Sequence, residues 1–327
     1  MKIFLKSKFL PLLISLISLN LCLIKSEDNS YPLIGILSVP EMGQEFPVNN
    51  TGIINANYVR WLESNGMEAI AIHPWYVPQE LDSILVKLNG IIIQGENSPM
   101  DKTSAYYKTV RQIVERVKNF YKTDAYFNIP IFGICGGFEI LANVLEGEDI
   151  LTPHEDLKSQ SSLIFEETEI IDTKLFHKIS DQLINVFKNT KSVYENHKTG
   201  VSPNKFTSAT SKIKEFMNIV ALASDKDGKN YVAAAEGIKD YPFFGVQFHP
   251  EIIAFNKIED NNVPDSFEAI LASRHFGHFL LKQAEGNKNV FDKYRENKNY
   301  LTGRLPDIQD ISGAYYYKIN QFDEQNQ

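Results

Sequence analysis

Between Tyr31 and Gly95 the chain alternates short apolar runs with helix-length amphipathic stretches, reading PLIGILSV, NANYVRWLESNG, MEAIAIHP, QELDSILVKLN and GIIIQG. Apolar runs this short, with no polar alternation, belong to strands buried on both faces. Such strands, separated by helices, are parallel and joined by right-handed crossovers. The expected fold class is therefore α/β: an open, mostly parallel sheet with helices on both faces, followed by a C-terminal extension. A first helix over residues 55–65 stops at Gly66, a natural residue just past a helix end. Ser104–Tyr121 reads as another, because Val110, Ile113, Val114 and Val117 recur at helical spacing.

Residues 129–139, IPIFGICGGFE, then carry an apolar run into Gly133-Ile134-Cys135-Gly136-Gly137, after which a helical pattern begins. A nucleophile on a sharp strand-to-helix turn needs small neighbours, so that the backbone can turn and a substrate carbonyl can approach closely. The helix beyond the turn presents free N–H groups and its positive dipole end to Cys135, favouring a thiolate and an oxyanion beside it. The plain alternative is a buried cysteine in a glycine-rich connection. In open α/β sheets ligands bind at the carboxyl ends of strands, where Cys135 falls. Gln94-Gly95-Glu96-Asn97 falls there too, after GIIIQ, and either offers a second backbone N–H to the oxyanion or is a simple strand-to-helix turn.

Further on, LIFEETEII reads as a strand and DQLINVFKN as a short helix. Ser192–Pro203 is a polar stretch containing His197, and KNYVAAAEGI and YPFFGVQFHPEI read as strands. His249 stands at the carboxyl end of the last of these, where a base for Cys135 has to be. Glu251 comes at i+2, on the same side of an extended segment, and is placed to orient the imidazole. Asp265–Gln283 reads as a closing helix, with Phe267, Ile270, Leu271, Phe276, Phe279 and Leu280 as apolar positions. His275 and His278 lie i, i+3 on it, but neither a third ligand nor a carboxylate appears at metal-site spacing. AYYYKI, near the end, has strand-type content and suggests an added strand or clasp.

At 327 residues and 43% hydrophobic content the chain can bury a sizeable core. Its first segment places Lys2, Lys6 and Lys8 ahead of an apolar run from Phe9 to Ile24, the layout of a secretory signal peptide over residues 1–26. The run is short for a membrane span and is interrupted by Pro11 and Asn20. Residues 27–327 then remain for one large domain or two smaller ones. Removal of the leader takes Cys22 with it, leaving Cys135 as an unpaired thiol in an oxidising compartment, which marks it as reactive. The formal charge is −8 and grows more negative without the leader's lysines, which disfavours nucleic-acid binding. Asn49-Asn50-Thr51 is a glycosylation sequon.

With FGICGGFEIL, GVQFHPE and the early GIIIQGENS in place, the sequence resembles the class I glutamine amidotransferase-like family, and within it the gamma-glutamyl hydrolase branch. The leader, PLIGILSVP, YVRWLESNG, Phe138-Glu139, ENHK and the aromatic C-terminal extension favour that branch. The resemblance implies Cys135 as nucleophile, His249 as general base and acid, and Glu251 as its orienting partner. It puts Gly95, Gly136, Glu139 and His197 at the substrate, with Arg60 and Lys198 as candidate contacts for substrate carboxylates. It implies hydrolysis of gamma-glutamyl amide bonds, especially in the poly-gamma-glutamate tails of folates, with no metal or organic cofactor. It also implies a small-molecule substrate, no nucleic-acid partner, no stable membrane insertion, a secreted, lysosomal or vacuolar location, and allows a homodimer. Two residues depart from the pattern: Gln94 stands where relatives often have glycine, and Gly136 where they commonly have leucine. A glutaminase on the same fold is the nearest alternative, and a leader with no synthase domain argues against it. A non-catalytic scaffold has no physical need of Cys135, His249 and Glu251 together. The signature of a papain-like protease is absent.

Overall fold

The computed structural model describes residues 31–40, 51–95, 99–123, 128–165, 170–255, 262–289, 297, 299–309 and 314–320. The leader, Asn49, Asn50, Glu96 and Asn97 lie outside them. The chain divides into Met1–Tyr31 and Pro32–Gln327, and the second unit carries the sheets and helices. Its central sheet has seven strands: β1 (Leu33–Leu37), β4 (Glu68–Ile72), β5 (Gly90–Ile93), β6 (Ile131–Ile134), β9 (Met217–Ser224), β10 (Asn230–Gly237) and β11 (Phe243–Val246). They run in the order β4-β1-β5-β6-β11-β10-β9. Every pairing from β4 to β11 is parallel, and β10 and β9 close one side antiparallel.

The apolar runs are buried on both faces, as their composition requires. Leu33 and Leu37 of β1 pack into one hydrophobic cluster with Ile91, Ile93 and Ile131, while Ile34 and Ile36 pack into another with Ile92, Phe132 and Ile134. The two-residue period of the strands thus divides one continuous apolar run between two cores. Around the sheet stand α1 (Ala56–Ser64), α2 (Pro78–Leu85), α3 (Ala105–Thr123), α4 (Gly136–Glu146), α5 (Asp181–Asn189), α6 (Pro203–Thr207) and α7 (Phe267–Glu285). The Asn55 side chain accepts the Asn57 N–H to cap α1, and the Ser266 side chain caps α7 through the Ala269 N–H.

Two smaller sheets complete the fold. β2 (Val39–Pro40), β3 (Thr51–Asn55), β12 (Ile308–Gln309) and β13 (Tyr315–Asn320) run in the order β12-β13-β3-β2, so AYYYKI is the strand its content suggested. β7 (Leu151–Ser161) and β8 (Val193–Val201) pair antiparallel. Here the structure departs from the sequence reading. Of LIFEETEII, residues 166–169 lie outside the described residues, and the described ones contribute one isolated bridge, Ile164 with Leu222, and the start of a 3₁₀ turn at Ile170–Asp172. The polar stretch around His197 is β8, and β7 pairs with it despite Pro153, joined also by Ser161 Oγ to Glu195 Oε1 and by the His197 ring to the His154 backbone carbonyl. In α7, Phe267 and Leu271 face outward, 69% and 40% exposed, while Ala272, Phe276 and Leu280 face the core. Among the described residues no helix is long and apolar enough to cross a membrane.

Candidate active site

Cys135 joins β6 to α4 with φ 51° and ψ −117°, a conformation costly for a residue with a side chain. Surrounding bonds hold it there. Its N–H donates to the Val246 carbonyl at 2.8 Å, tying the end of β6 to the end of β11, and its own carbonyl accepts the N–H groups of Phe138 and Glu139. Two close approaches leave no room for side chains. A Cβ on Gly137 would lie 1.8 Å from the Ile93 carbonyl oxygen, and one on Gly95 would lie 2.7 Å from Cys135 Cβ and 3.2 Å from His249 Cε1. Strands β5 and β6 therefore deliver Gly95 and Cys135 to one point at their carboxyl ends.

His249 lies just beyond β11. Its N–H donates to the Tyr194 carbonyl of β8 at 2.9 Å, and its Nδ1 lies 2.8 Å from Glu251 Oε1. The Ser273 hydroxyl of α7 donates to the Pro250 carbonyl at 2.6 Å, fixing the segment between them. With Nδ1 engaged by Glu251, the other ring nitrogen serves Cys135, with which the imidazole shares a hydrogen bond and a strong charge interaction. All three side chains are buried. Burial alone would pull His249 down. The charges of Cys135 and Glu251, with their hydrogen bonds, outweigh it and hold the imidazole well above its ordinary value. Burial pushes the Cys135 thiol up, opposed by the His249 charge and hydrogen bond and by the Gly136 N–H. The geometry can support a thiolate–imidazolium pair and proton transfer between sulfur and ring.

The family profile described as "Glutamine amidotransferase class-I" matches residues 47–262. "Probable gamma-glutamyl hydrolase 3" of Arabidopsis thaliana is 31% identical, covering 88% of this chain and 82% of its own length. "Gamma-glutamyl hydrolase 2" of the same plant is 30% identical over 91% and 84%, and the Mus musculus "Gamma-glutamyl hydrolase" 28% identical over 86% and 88%. The chain belongs to the gamma-glutamyl hydrolase family.

In this family member the remaining expected residues divide. Gly136 opens α4, and its N–H faces the Cys135 sulfur. Gly95 is adjacent, but its N–H donates to the Tyr58 hydroxyl at 2.8 Å, so it contributes close approach here and not a free donor. The departure at Gln94 has a structural account. Its buried amide donates to the Leu37 and Ile53 carbonyls at 2.9 Å each and accepts the Asn55 N–H at 3.1 Å, binding β5 to β1, β3 and the start of α1. Glu139, one turn into α4, is buried, and its Oε1 accepts from Thr199 Oγ1 at 3.0 Å and Gln247 Nε2 at 3.1 Å. Burial pushes its carboxyl up.

His197, in the polar stretch, is a buried strand residue. It lies behind Glu139 with Nδ1 donating to the His154 carbonyl at 3.1 Å and Nε2 3.3 Å from Glu195 Oε2. Burial would lower it. The close polar contact and charge of Glu195, together with Glu139 and Asp156, turn the net shift upward. Arg60 lies over the Tyr315 ring on the outer side of α1, Lys198 is exposed, and His275 donates to the Leu175 carbonyl at 2.7 Å against Phe176. No group of three or more metal-ligating side chains occurs among the described residues. Sequence reasoning assigned nothing to Gln247, Tyr58, Glu195 or Thr199. Gln247 had a signal, since it stands two residues before His249 at the same strand end. Glu195 stands likewise two residues before His197 on β8, whereas Tyr58 and Thr199 are brought to Gly95 and Glu139 by packing of distant segments.

Proposed function

We propose that this chain cleaves gamma-glutamyl amide bonds, in the poly-gamma-glutamate tails of folates, through an acyl-enzyme on Cys135. The arrangement of Cys135, His249 and Glu251 at the start of α4 carries this reading. Cys135 sulfur attacks the gamma-carbonyl, and the Gly136 N–H at the positive end of α4 faces the oxyanion. The tetrahedral intermediate collapses as His249 gives its proton to the leaving amine. A water molecule, deprotonated by His249, then attacks the thioester and releases the glutamyl product. Glu251 holds the imidazole in position and stabilises its charged form. Glu139, Gly95 and His197 shape the substrate side. We read residues 1–26 as a leader that sends the enzyme along the secretory pathway, to secretion or to a lysosome or vacuole.

The test is hydrolysis of a pteroyl-poly-gamma-glutamate at acidic and neutral pH, beside Cys135→Ala and with free glutamine as rival substrate. Glutamate or short gamma-glutamyl peptides released by the unaltered protein alone are the expected result. Ammonia from glutamine with no cleavage of the folate would overturn the substrate assignment.

A further inference from the structure

Gln247 lies directly after β11, two residues before His249, and is wholly buried. Its backbone N–H donates to the Ala233 carbonyl of β10 at 2.9 Å, so its Cα is fixed by the sheet. Its side-chain Nε2 lies 3.1 Å from Glu139 Oε1 and 3.9 Å from Cys135 Sγ. An amide nitrogen has two N–H groups diverging at roughly 120°, enough to serve both acceptors at once.

The neighbours decide which way this amide faces. Glu139 Oε1 takes donors from Thr199 and Gln247, as an ionised carboxylate oxygen does. Turned the other way, the amide would aim its carbonyl oxygen at that carboxylate and at the sulfur, which as a thiolate is a second acceptor. The observed orientation leaves Gln247 Oε1 buried without a hydrogen-bond partner. An apolar side chain of the same shape would place no buried carbonyl there, but also no N–H groups at the site.

We propose that Gln247 is a catalytic residue: its amide N–H, oriented by Glu139, donates to Cys135 sulfur and favours the thiolate for attack. The sulfur then sits among three sources of positive potential, the His249 ring, the Gly136 N–H and the Gln247 amide, against the opposing charge of Glu139. Gln247 differs from His249 in that it exchanges no proton. It stabilises the anion before substrate arrives and releases it as the S–C bond forms. The inference rests on the proposed function only in taking Cys135 as the nucleophile.

The experiment is the pH dependence of iodoacetamide alkylation of the folded full chain, in which the thiolate forms an S–C bond and iodide leaves. It compares the unaltered protein, Gln247→Met and Gln247→Asn, with Cys135→Ala giving the background from Cys22. A lost hydrogen bond to a charged group predicts alkylation about tenfold slower on the acid side, with the midpoint raised by about one pH unit. Both variants should unfold in one cooperative transition, which shows that they are folded at the temperature of the assay, and all profiles should coincide in denaturant. Superimposable profiles for the three folded proteins would overturn the proposal. No gamma-glutamyl substrate enters the measurement. A chain inert toward folate polyglutamates but showing the shift would lose its substrate assignment and keep this role for Gln247.

Discussion

His249 and Glu251 meet at 2.8 Å in a buried setting, and the imidazole is held well above its ordinary value despite burial. Removing the carboxylate removes one of the two charges that raise it. In Glu251→Gln the His249 ionisation therefore falls, and the thiolate–imidazolium form is lost at lower pH than in the unaltered enzyme. The expected outcome is an alkaline limb of the kcat/KM profile displaced to lower pH, with activity near the optimum reduced about 10²–10⁴-fold. An unmoved alkaline limb would show that Glu251 does not set the base. Cys135, His249 and Glu251 were legible in the sequence because strand ends and i+2 spacing are local properties. The engagement of the Gly95 N–H was not, since Tyr58 reaches it from α1, 37 residues away in sequence.

At the scale of elements, the β7–β8 pair sets the ground behind the site. Ser161 donates to Glu195 Oε1 at 2.8 Å, Glu195 Oε2 faces His197 Nε2, and Thr199 of the same strand reaches Glu139. His197 has its folded ionisation above its unfolded value near 6.5. Its contribution to stability is accordingly complete below that value and is lost as pH rises through the folded one. Glu195→Gln removes the main cause of the upward shift. Thermal melting should therefore show a wider gap between the variant and the unaltered protein at about pH 5.5 than at about pH 8.5. A constant gap would mean that packing alone, and not the charge on His197, is at stake. Neither strand could be read from sequence. β7 contains Pro153 and places His154 and Asp156 inward, so its apolar alternation is replaced by a polar one that only the pairing with β8 explains. β1, β4, β5, β6, β10 and β11, by contrast, were visible as apolar runs because both their faces are buried.

Across the whole molecule, the C-terminal strand supports the site from a distance. β13 pairs with β3 from Tyr316–Asn55 to Asn320–Thr51, and Tyr316, Tyr317 and Ile319 are buried. β3 leads directly into the α1 cap at Asn55, its Ile53 carbonyl holds Gln94, and Tyr58 on α1 holds Gly95. Ending the chain before Tyr315 forfeits the burial of three large apolar side chains, each worth about 1.5–3 kcal/mol. Such a truncation should melt well below the full chain and alkylate Cys135 with an altered rate, as the Gly95 segment loses its anchor. Equal melting of both forms would assign β13 no part in the fold's stability. The proposed covalent acyl intermediate on Cys135 can be trapped and weighed, as the mass of the acid-quenched protein after reaction with a gamma-glutamyl anilide. A gamma-glutamyl adduct is expected on the peptide carrying Cys135, formed and lost with turnover and missing from Cys135→Ala. Turnover that persists in Cys135→Ala, or that proceeds with no adduct under single-turnover conditions, would contradict it.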